Sequence, residues 1–194
     1  MSDSDIIALE KSLSEILGGA EKVVVLGCGS ELRGDDAAGG ETVKRLMNLR
    51  SSECLMNQQA AGRFLNLEAS KSENVFICNG GTAPENFTGE IKRFQANVLL
   101  LIDAADMGLP PGAAALIPTA DISGISFSTH KLALKIMTEY LQRETGCRTF
   151  ILGIQPGGFE FGASLTQEVS RTADKIAIAL DKILRNSNCC SSED

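Results

Sequence analysis

Short, continuously apolar runs are the feature that most constrains the fold of this chain. Residues 22–29 read KVVVLGCG, residues 97–106 read NVLLLIDAAD and residues 148–156 read RTFILGIQP. A short β-branched run that is apolar on both faces is typical of a parallel strand covered by helices on each side. We therefore predict three strands here, the first of them buried and parallel to its neighbours.

Segments with helical spacing of apolar residues lie between these runs. They comprise residues 3–17, 37–49, 85–94, 130–143 and 165–186. Two more strand-like segments cover residues 73–81 and 111–118, and the prolines around the second favour an edge strand or a hairpin. Strands that alternate with helices predict an α/β fold with a mostly parallel sheet and helices on both faces. Residues 50–71 fit either a helix or a strand followed by a helix.

Composition and charge exclude several classes of protein. The 194 residues carry 18 Lys and Arg against 25 Asp and Glu, a net charge of −7, which disfavours nucleic-acid binding because that requires clustered basic side chains. No apolar run is long enough to cross a bilayer, so we expect no membrane association. Six scattered cysteines and no leader-like N-terminus predict a cytoplasmic protein. We expect a monomer with one domain over residues 1–188 and a disordered tail at 189–194.

The glycine-rich stretch LGCGSELRGDD, residues 26–36, follows the first predicted strand and at first suggests a phosphate-binding loop. Gly29 and Gly34 have the spacing of a P-loop, but Asp35 stands where that motif requires lysine. A dinucleotide-binding motif fails as well, because Leu32 occupies the position of its third glycine. The stretch therefore predicts a turn that presents two carboxylates, with Asp35 as a cap or turn residue.

Three side chains of metal-ligand type are expected at one edge of the sheet. Asp36 follows the first strand, Asp103 ends the run VLLLI, and His130, the single histidine of the chain, begins a helix after a loop. The carboxyl ends of parallel strands line the ligand-binding crevice of such sheets. Two carboxylates and one imidazole suit a borderline divalent ion such as nickel, zinc or iron, although each residue alone has an ordinary structural explanation.

Five segments form an ordered set of motifs. They are GCGSELRGDDAAG, NGGTAPENF, LLLIDAADMGLPPG, STHKLALKIM and FILGIQPGG. Together, from about residue 23 to residue 166, they resemble the [NiFe]-hydrogenase maturation endopeptidases of the HycI and HybD type, and most closely the branch acting on formate-hydrogenlyase-type and archaeal hydrogenases. Ser30 and Ala37 depart from the family signature, which has Asn and Gly there. We therefore expect the backbone at Ala37 not to need a positive φ.

The resemblance implies a three-layer α/β/α sandwich around a twisted, mainly parallel sheet. It implies an endopeptidase that removes the C-terminal extension of a [NiFe]-hydrogenase large-subunit precursor after nickel insertion. Asp36, Asp103 and His130 match the positions of the metal-contacting residues of the family. The implied metal is nickel supplied by the precursor, and zinc or cadmium can occupy the same site in vitro.

Several alternatives remain open at this point. The metal can act on the scissile bond, or the three ligands can recognise nickel already seated in the precursor, which we favour because cleavage then waits for metal insertion. Cys28, or Ser126 or Ser128 beside His130, offers a nucleophile. The same three ligands also suit a non-enzymatic nickel chaperone or assembly scaffold. Gln155 is either a lining residue of the peptide groove or part of a strand-end turn.

Overall fold

The structure is a computed structural model that describes residues 1–57, 69–117, 126–127 and 131–187. In these residues the fold combines five α-helices with seven strands. The helices are α1 (Asp3–Leu17), α2 (Ala38–Asn57), α3 (Thr88–Phe94), α4 (Lys131–Thr145) and α5 (Gln167–Ser187). The strands are β1 (Val23–Cys28), β2 (Ala69–Lys71), β3 (Val75–Gly81), β4 (Val98–Asp106), β5 (Ala114–Ile117), β6 (Ser126–Phe127) and β7 (Arg148–Ile154). Each predicted helix and strand therefore has a counterpart in the structure.

The sheet has a parallel centre and antiparallel edges. Its strand order is β2-β3-β1-β4-β7-β5, and β6 pairs with the end of β4 outside this path. β3, β1, β4 and β7 run parallel, whereas β2, β5 and β6 are antiparallel to the strands that they pair with. The parallel sheet is confirmed for the four central strands, and the predicted edge strand is confirmed as β5. We call the edge at which the four parallel strands end the carboxyl edge.

Helices cover both faces of the sheet. α1, α2 and α5 pack on one face, with Leu13, Leu46 and Ile176 among their buried side chains. α3 and α4 pack on the other face through Ile91 and Leu134. Every residue of β1 is buried because this strand lies between the two helical layers. The three-layer α/β/α sandwich is thus confirmed. Among the described residues, no helix is long and apolar enough to cross a membrane.

The position of Asp103 differs from the sequence prediction. β4 continues to Asp106, so Asp103 lies inside this strand and does not end it. The pairing of β1 with β4 reaches only as far as Ile102, and Asp103 is the next residue. Asp103 therefore marks the place where β4 passes the end of β1, which still puts it at the carboxyl edge beside the turn that follows β1.

The undecided stretch at residues 50–71 begins as helix and ends as strand. α2 continues past residue 49 to Asn57, and β2 takes up the chain at Ala69. Residues 58–68 lie outside the described residues, as do the predicted tail at 189–194 and the loop before α4.

Two glycines let the turn after β1 approach the central strands closely. A Cβ atom on Gly39, in the first turn of α2, would overlap the Ile102 carbonyl oxygen and the backbone of Cys28. Gly29 has a φ of +115°, and a Cβ there would overlap the Asp36 carbonyl oxygen. These approaches seat the segment that carries Asp36 directly on the ends of β1 and β4.

We expect Gly39→Ala to lower the free energy of unfolding by about 3 kcal/mol, because the new methyl group displaces α2 from the two strands. Gly89→Ala is the matched control, since Gly89 is exposed in α3 and the nearest atom to an added Cβ is 3.9 Å away. It should leave stability unchanged or raise it by up to about 1 kcal/mol. Urea unfolding measures both, and equal stability of the two variants would contradict the close approach.

Candidate functional site

Asp36 lies in a short 3₁₀ helix, Gly34–Ala37, that joins β1 to α2, and its side chain is fully buried. Its Oδ2 accepts a hydrogen bond from the backbone N–H of Ser30 at 3.1 Å. Its Oδ1 has no hydrogen-bond partner among the residues that the structure describes. Ser30 makes this contact through its backbone, so the departure from Asn does not affect it. Ala37 does not adopt a positive φ, which confirms the expectation for that position.

Asp103, like Asp36, is a fully buried carboxyl group at the carboxyl edge. Its Oδ1 accepts a hydrogen bond from the Ala104 N–H at 2.9 Å, while no described residue donates to its Oδ2. Burial raises the pKa of Asp103 to about 8, with a further increase from the negative charge of Asp36 and a decrease from the Ala104 hydrogen bond. The two carboxyl groups therefore interact electrostatically, and Asp103 holds a proton at neutral pH.

The arrangement of the two carboxyl groups is chemically suited to a cation. Asp36 and Asp103 each bury one oxygen without a hydrogen-bond donor from the described part of the chain. Buried polar atoms of native proteins are normally partnered, and buried carboxylates are paired or bind metals. A proton on Asp103 relieves part of the repulsion between the two groups, and a divalent cation relieves all of it.

His130, the predicted third ligand, lies outside the described residues, so the structure does not test its position. The same holds for Ser128, and nothing is described of the side chains of Ser126 and Lys131. Within the described ranges, no cluster of three or more His, Cys, Asp or Glu side chains suits a metal ion. The site that the structure describes is therefore the pair Asp36 and Asp103, and the three-ligand set stays a prediction.

Cys28 is unsuited to act as a nucleophile. Its thiol is buried, and burial raises its pKa well above the usual range, with smaller increases from the charges of Asp103, Cys78 and Glu85. A cysteine nucleophile requires the thiolate, which is favoured by exposure and nearby positive charge. This environment instead favours the neutral thiol, as expected for a small packed side chain.

Asp35 has a larger structural role than the sequence indicates. Its carboxylate is fully buried and accepts hydrogen bonds from the backbone N–H groups of Gly157, Gly158 and Thr166 at 2.7, 3.2 and 2.7 Å, and from the Thr166 hydroxyl at 2.9 Å. All of these donors lie in the segment between β7 and α5. Asp35 is a turn residue as predicted, but sequence spacing carries no signal for partners more than 120 residues away.

Gln155 is buried directly after β7 and makes the contacts expected of a strand-end residue. Its side-chain oxygen accepts hydrogen bonds from the Met107 and Leu109 N–H groups at 2.7 and 3.2 Å, and its Nε2 donates to Asp106 at 3.2 Å. Asp106 is exposed and also accepts a hydrogen bond from the Gly108 N–H. Gln155 thus fixes the loop that follows β4.

The raised pKa of Asp103 predicts a pH dependence of stability in chelator-treated protein. Because the native state binds this proton more tightly than the unfolded chain does, the free energy of unfolding should fall as the pH rises from about 4 to about 8. The limiting slope for one proton is about 1.4 kcal/mol per pH unit.

Asp103→Asn should remove this slope, whereas Asp106→Asn, a substitution of an exposed residue on the same strand, should keep it. Urea unfolding at pH 5.5 and 7.5 measures the difference, and parallel pH profiles of wild type and Asp103→Asn would contradict the assignment.

Comparisons with known proteins agree with the family resemblance. A family model described as hydrogenase maturation protease matches residues 62–184. A Methanocaldococcus jannaschii protein assigned as a hydrogenase maturation protease is 34% identical over 176 residues, which cover 91% of this chain and 96% of the relative. The hydrogenase 3 maturation protease of Escherichia coli is 29% identical over 154 residues, covering 79% and 85% of the two chains.

A solved structure extends this similarity to the fold. The crystal structure of the [NiFe] hydrogenase maturation protease HycI from Thermococcus kodakarensis matches with a TM-score of 0.74 and 27% sequence identity, covering 90% of this chain and 99% of that one. The sequence matches and the structural match both span most of the chain. The chain therefore belongs to the hydrogenase maturation protease family, whose members are hydrolases that act on peptide bonds.

Proposed function

We propose that this protease removes the C-terminal extension of a [NiFe]-hydrogenase large-subunit precursor after nickel insertion, and that Asp36, Asp103 and His130 contact the nickel of that precursor. One observation carries the proposal: two fully buried carboxyl groups at the carboxyl edge each have one oxygen without a donor from any described residue. Burial of such groups is unfavourable unless an opposite charge or a metal accompanies them. A divalent cation is one partner that satisfies both oxygens together.

The position of His130 in the sequence supports its inclusion. β6 pairs with Ala105 and Asp106, which follow Asp103 on β4. His130 comes three residues after β6 and directly precedes α4. Phe127, which pairs with the end of β4, is therefore only three residues before His130 in the sequence. An imidazole also suits nickel as a donor beside two carboxylates.

Nickel that belongs to the precursor suits this sparse set of ligands. Two carboxylates and one imidazole leave coordination positions open for groups of another molecule. When bound, the ion supplies a positive charge that can polarise a nearby peptide carbonyl. Zinc or cadmium is expected to bind the same donors in vitro.

Cleavage is better supported than a chaperone role. A nickel chaperone could use the same three ligands, but the M. jannaschii and E. coli relatives are both assigned as proteases. The cysteine-nucleophile alternative has less support, because burial disfavours the Cys28 thiolate. We further propose that the protein acts as a cytoplasmic monomer, consistent with free thiols at Cys28, Cys78 and Cys147.

We expect Asp36→Asn to abolish processing while leaving the protein folded. Asn retains an oxygen for the Ser30 N–H but loses the charge that faces the ion. Mutation of residues that only hydrogen-bond to a metal ligand lowers metal affinity or activity by about 10–100-fold. Loss of a ligand itself should therefore lower the processing rate by about 100-fold or more. Asp174→Asn, on an exposed residue of α5, is the control and should process at the wild-type rate. Mass spectrometry of the precursor and urea unfolding measure the two effects, and a normal rate in Asp36→Asn would remove Asp36 from the site.

Cleavage should depend on nickel in the precursor. Purified protease mixed with nickel-loaded precursor should release the extension, whereas nickel-free precursor should remain intact, because the ion orients the scissile bond at the carboxyl edge. The isolated C-terminal extension should also resist cleavage. Equal processing of loaded and nickel-free precursor in the presence of chelator would contradict nickel recognition.

A further inference from the structure

The segment between β7 and α5 is fastened to the turn that carries Asp36. We call residues 157–166, GGFEFGASLT, the rim loop. Asp35 accepts four hydrogen bonds from this loop and donates one from its own N–H to the Gly158 carbonyl at 3.0 Å. Asp36 is the next residue and interacts with Asp103. One short turn therefore binds the rim loop with its first carboxylate and forms the candidate site with its second.

A second backbone contact joins the rim loop to the glycine-rich stretch before the turn. The Gly162 N–H donates to the Leu32 carbonyl oxygen at 2.8 Å, so the backbone at Leu32 lies next to the residue that follows Phe161. Leu32 is 60% exposed, Phe159 36% and Phe161 81%. We call these three residues the rim patch. Large apolar side chains that are exposed on two hydrogen-bonded segments are candidates for binding another molecule.

We propose that the rim patch binds an apolar stretch of the precursor polypeptide next to the scissile bond, and that Asp35 is a positioning residue that fixes this patch relative to Asp36. The proposal rests on the proposed function, because it assigns part of the substrate to the same site. An endopeptidase must hold the chain on at least one side of the bond that it cleaves. The two buried carboxyl groups offer no apolar contact for that purpose, whereas the rim loop that carries Phe159 and Phe161 is hydrogen-bonded to Asp35, the residue before Asp36.

Charge further defines the polypeptide that suits the patch. Glu160 is exposed between Phe159 and Phe161, and no cation of the described residues pairs with it. The whole chain has a net charge of −7. Complementary charge favours the correct partner and like charge opposes it. The expected occupant is therefore an apolar segment flanked by lysine or arginine, and not an acidic one.

The first test uses Phe161→Ala with purified, nickel-loaded large-subunit precursor from the same organism. Loss of a buried Phe contact should raise the Kd and the KM by about 10–100-fold. The rate at saturating precursor should change by less than about twofold, because the variant loses binding that is common to ground state and transition state. Ile178→Ala is the matched control, since Ile178 is 59% exposed on α5, away from the rim loop. Equal Kd values for Phe161→Ala, Ile178→Ala and wild type would overturn the proposal.

The second test addresses Asp35 through its hydrogen-bond partner Thr166. A substitution of the buried Asp35 carboxylate could prevent folding, and a substitution of Thr166 avoids that problem. Thr166→Val removes the hydroxyl donor at similar volume, whereas Thr166→Ser retains it. We expect Thr166→Val to raise the KM by about three- to tenfold and Thr166→Ser to restore it to the wild-type value. Binding of nickel alone should be unchanged in both. Identical KM values for the two variants would overturn the positioning role.

The outcomes separate this inference from the proposed function. If the wild-type protein binds the precursor in a Phe161-dependent manner but does not cleave it, the proposed function fails and the docking surface stands. If it cleaves nickel-loaded precursor and Phe161→Ala binds normally, the inference fails and the proposed function stands. A dimer in sedimentation experiments that Phe161→Ala dissociates would show that the patch binds a second copy of the chain, and this also overturns the inference.

Discussion

Asp35 and Asp36 are consecutive carboxylates buried in one turn, and they differ in the number of hydrogen bonds that they accept. The structure of the carboxyl edge depends on this difference. Asp35 accepts hydrogen bonds from three backbone N–H groups and one hydroxyl, so its negative charge is distributed over protein donors. Asp36 accepts one hydrogen bond, and its negative charge contributes to the raised pKa of Asp103. Because a buried carboxylate without partners is strongly unfavourable, a fully satisfied one stabilises loops and a half-satisfied one favours a cation. Neighbouring residues of the same type therefore have different tasks.

The pair formed by Asp36 and Asp103 links stability to ligand binding. Without a cation, the raised pKa of Asp103 means that a proton occupies the pair at neutral pH. A divalent cation that binds there must displace this proton, so its affinity falls as the pH decreases below about 8. This proton reduces the electrostatic repulsion between the two buried carboxyl groups.

The sequence predicts those features that depend on local pattern. The apolar runs at β1 and β4 identify central strands because burial on both faces leaves a continuous apolar signature. The predicted strand at residues 97–106 agrees with β4, but Asp103 lies inside it and not at its end, because pairing with β6 continues the strand to Asp106 and that pairing is not local. The hydrogen-bonding role of Asp35 has no sequence signal for the same reason, since its donors follow β7, more than 120 residues away. His130 is the single histidine of the chain, and its role remains a prediction.

The glycine-rich stretch shows why residue type alone does not decide what a loop binds. In a phosphate-binding loop, backbone N–H groups point at an external anion and the motif supplies a lysine. Here the N–H groups of Gly157 and Gly158 point at Asp35, an anion that belongs to the protein. Gly39 serves close packing of α2 on β1 and β4, and not the approach of a ligand. The N–H groups of Gly157 and Gly158 are thus used within the protein and do not point at an external anion. One oxygen of Asp36 and one of Asp103 have no donor from any described residue. The carboxyl edge is therefore electrostatically suited to a cation and unsuited to a phosphate.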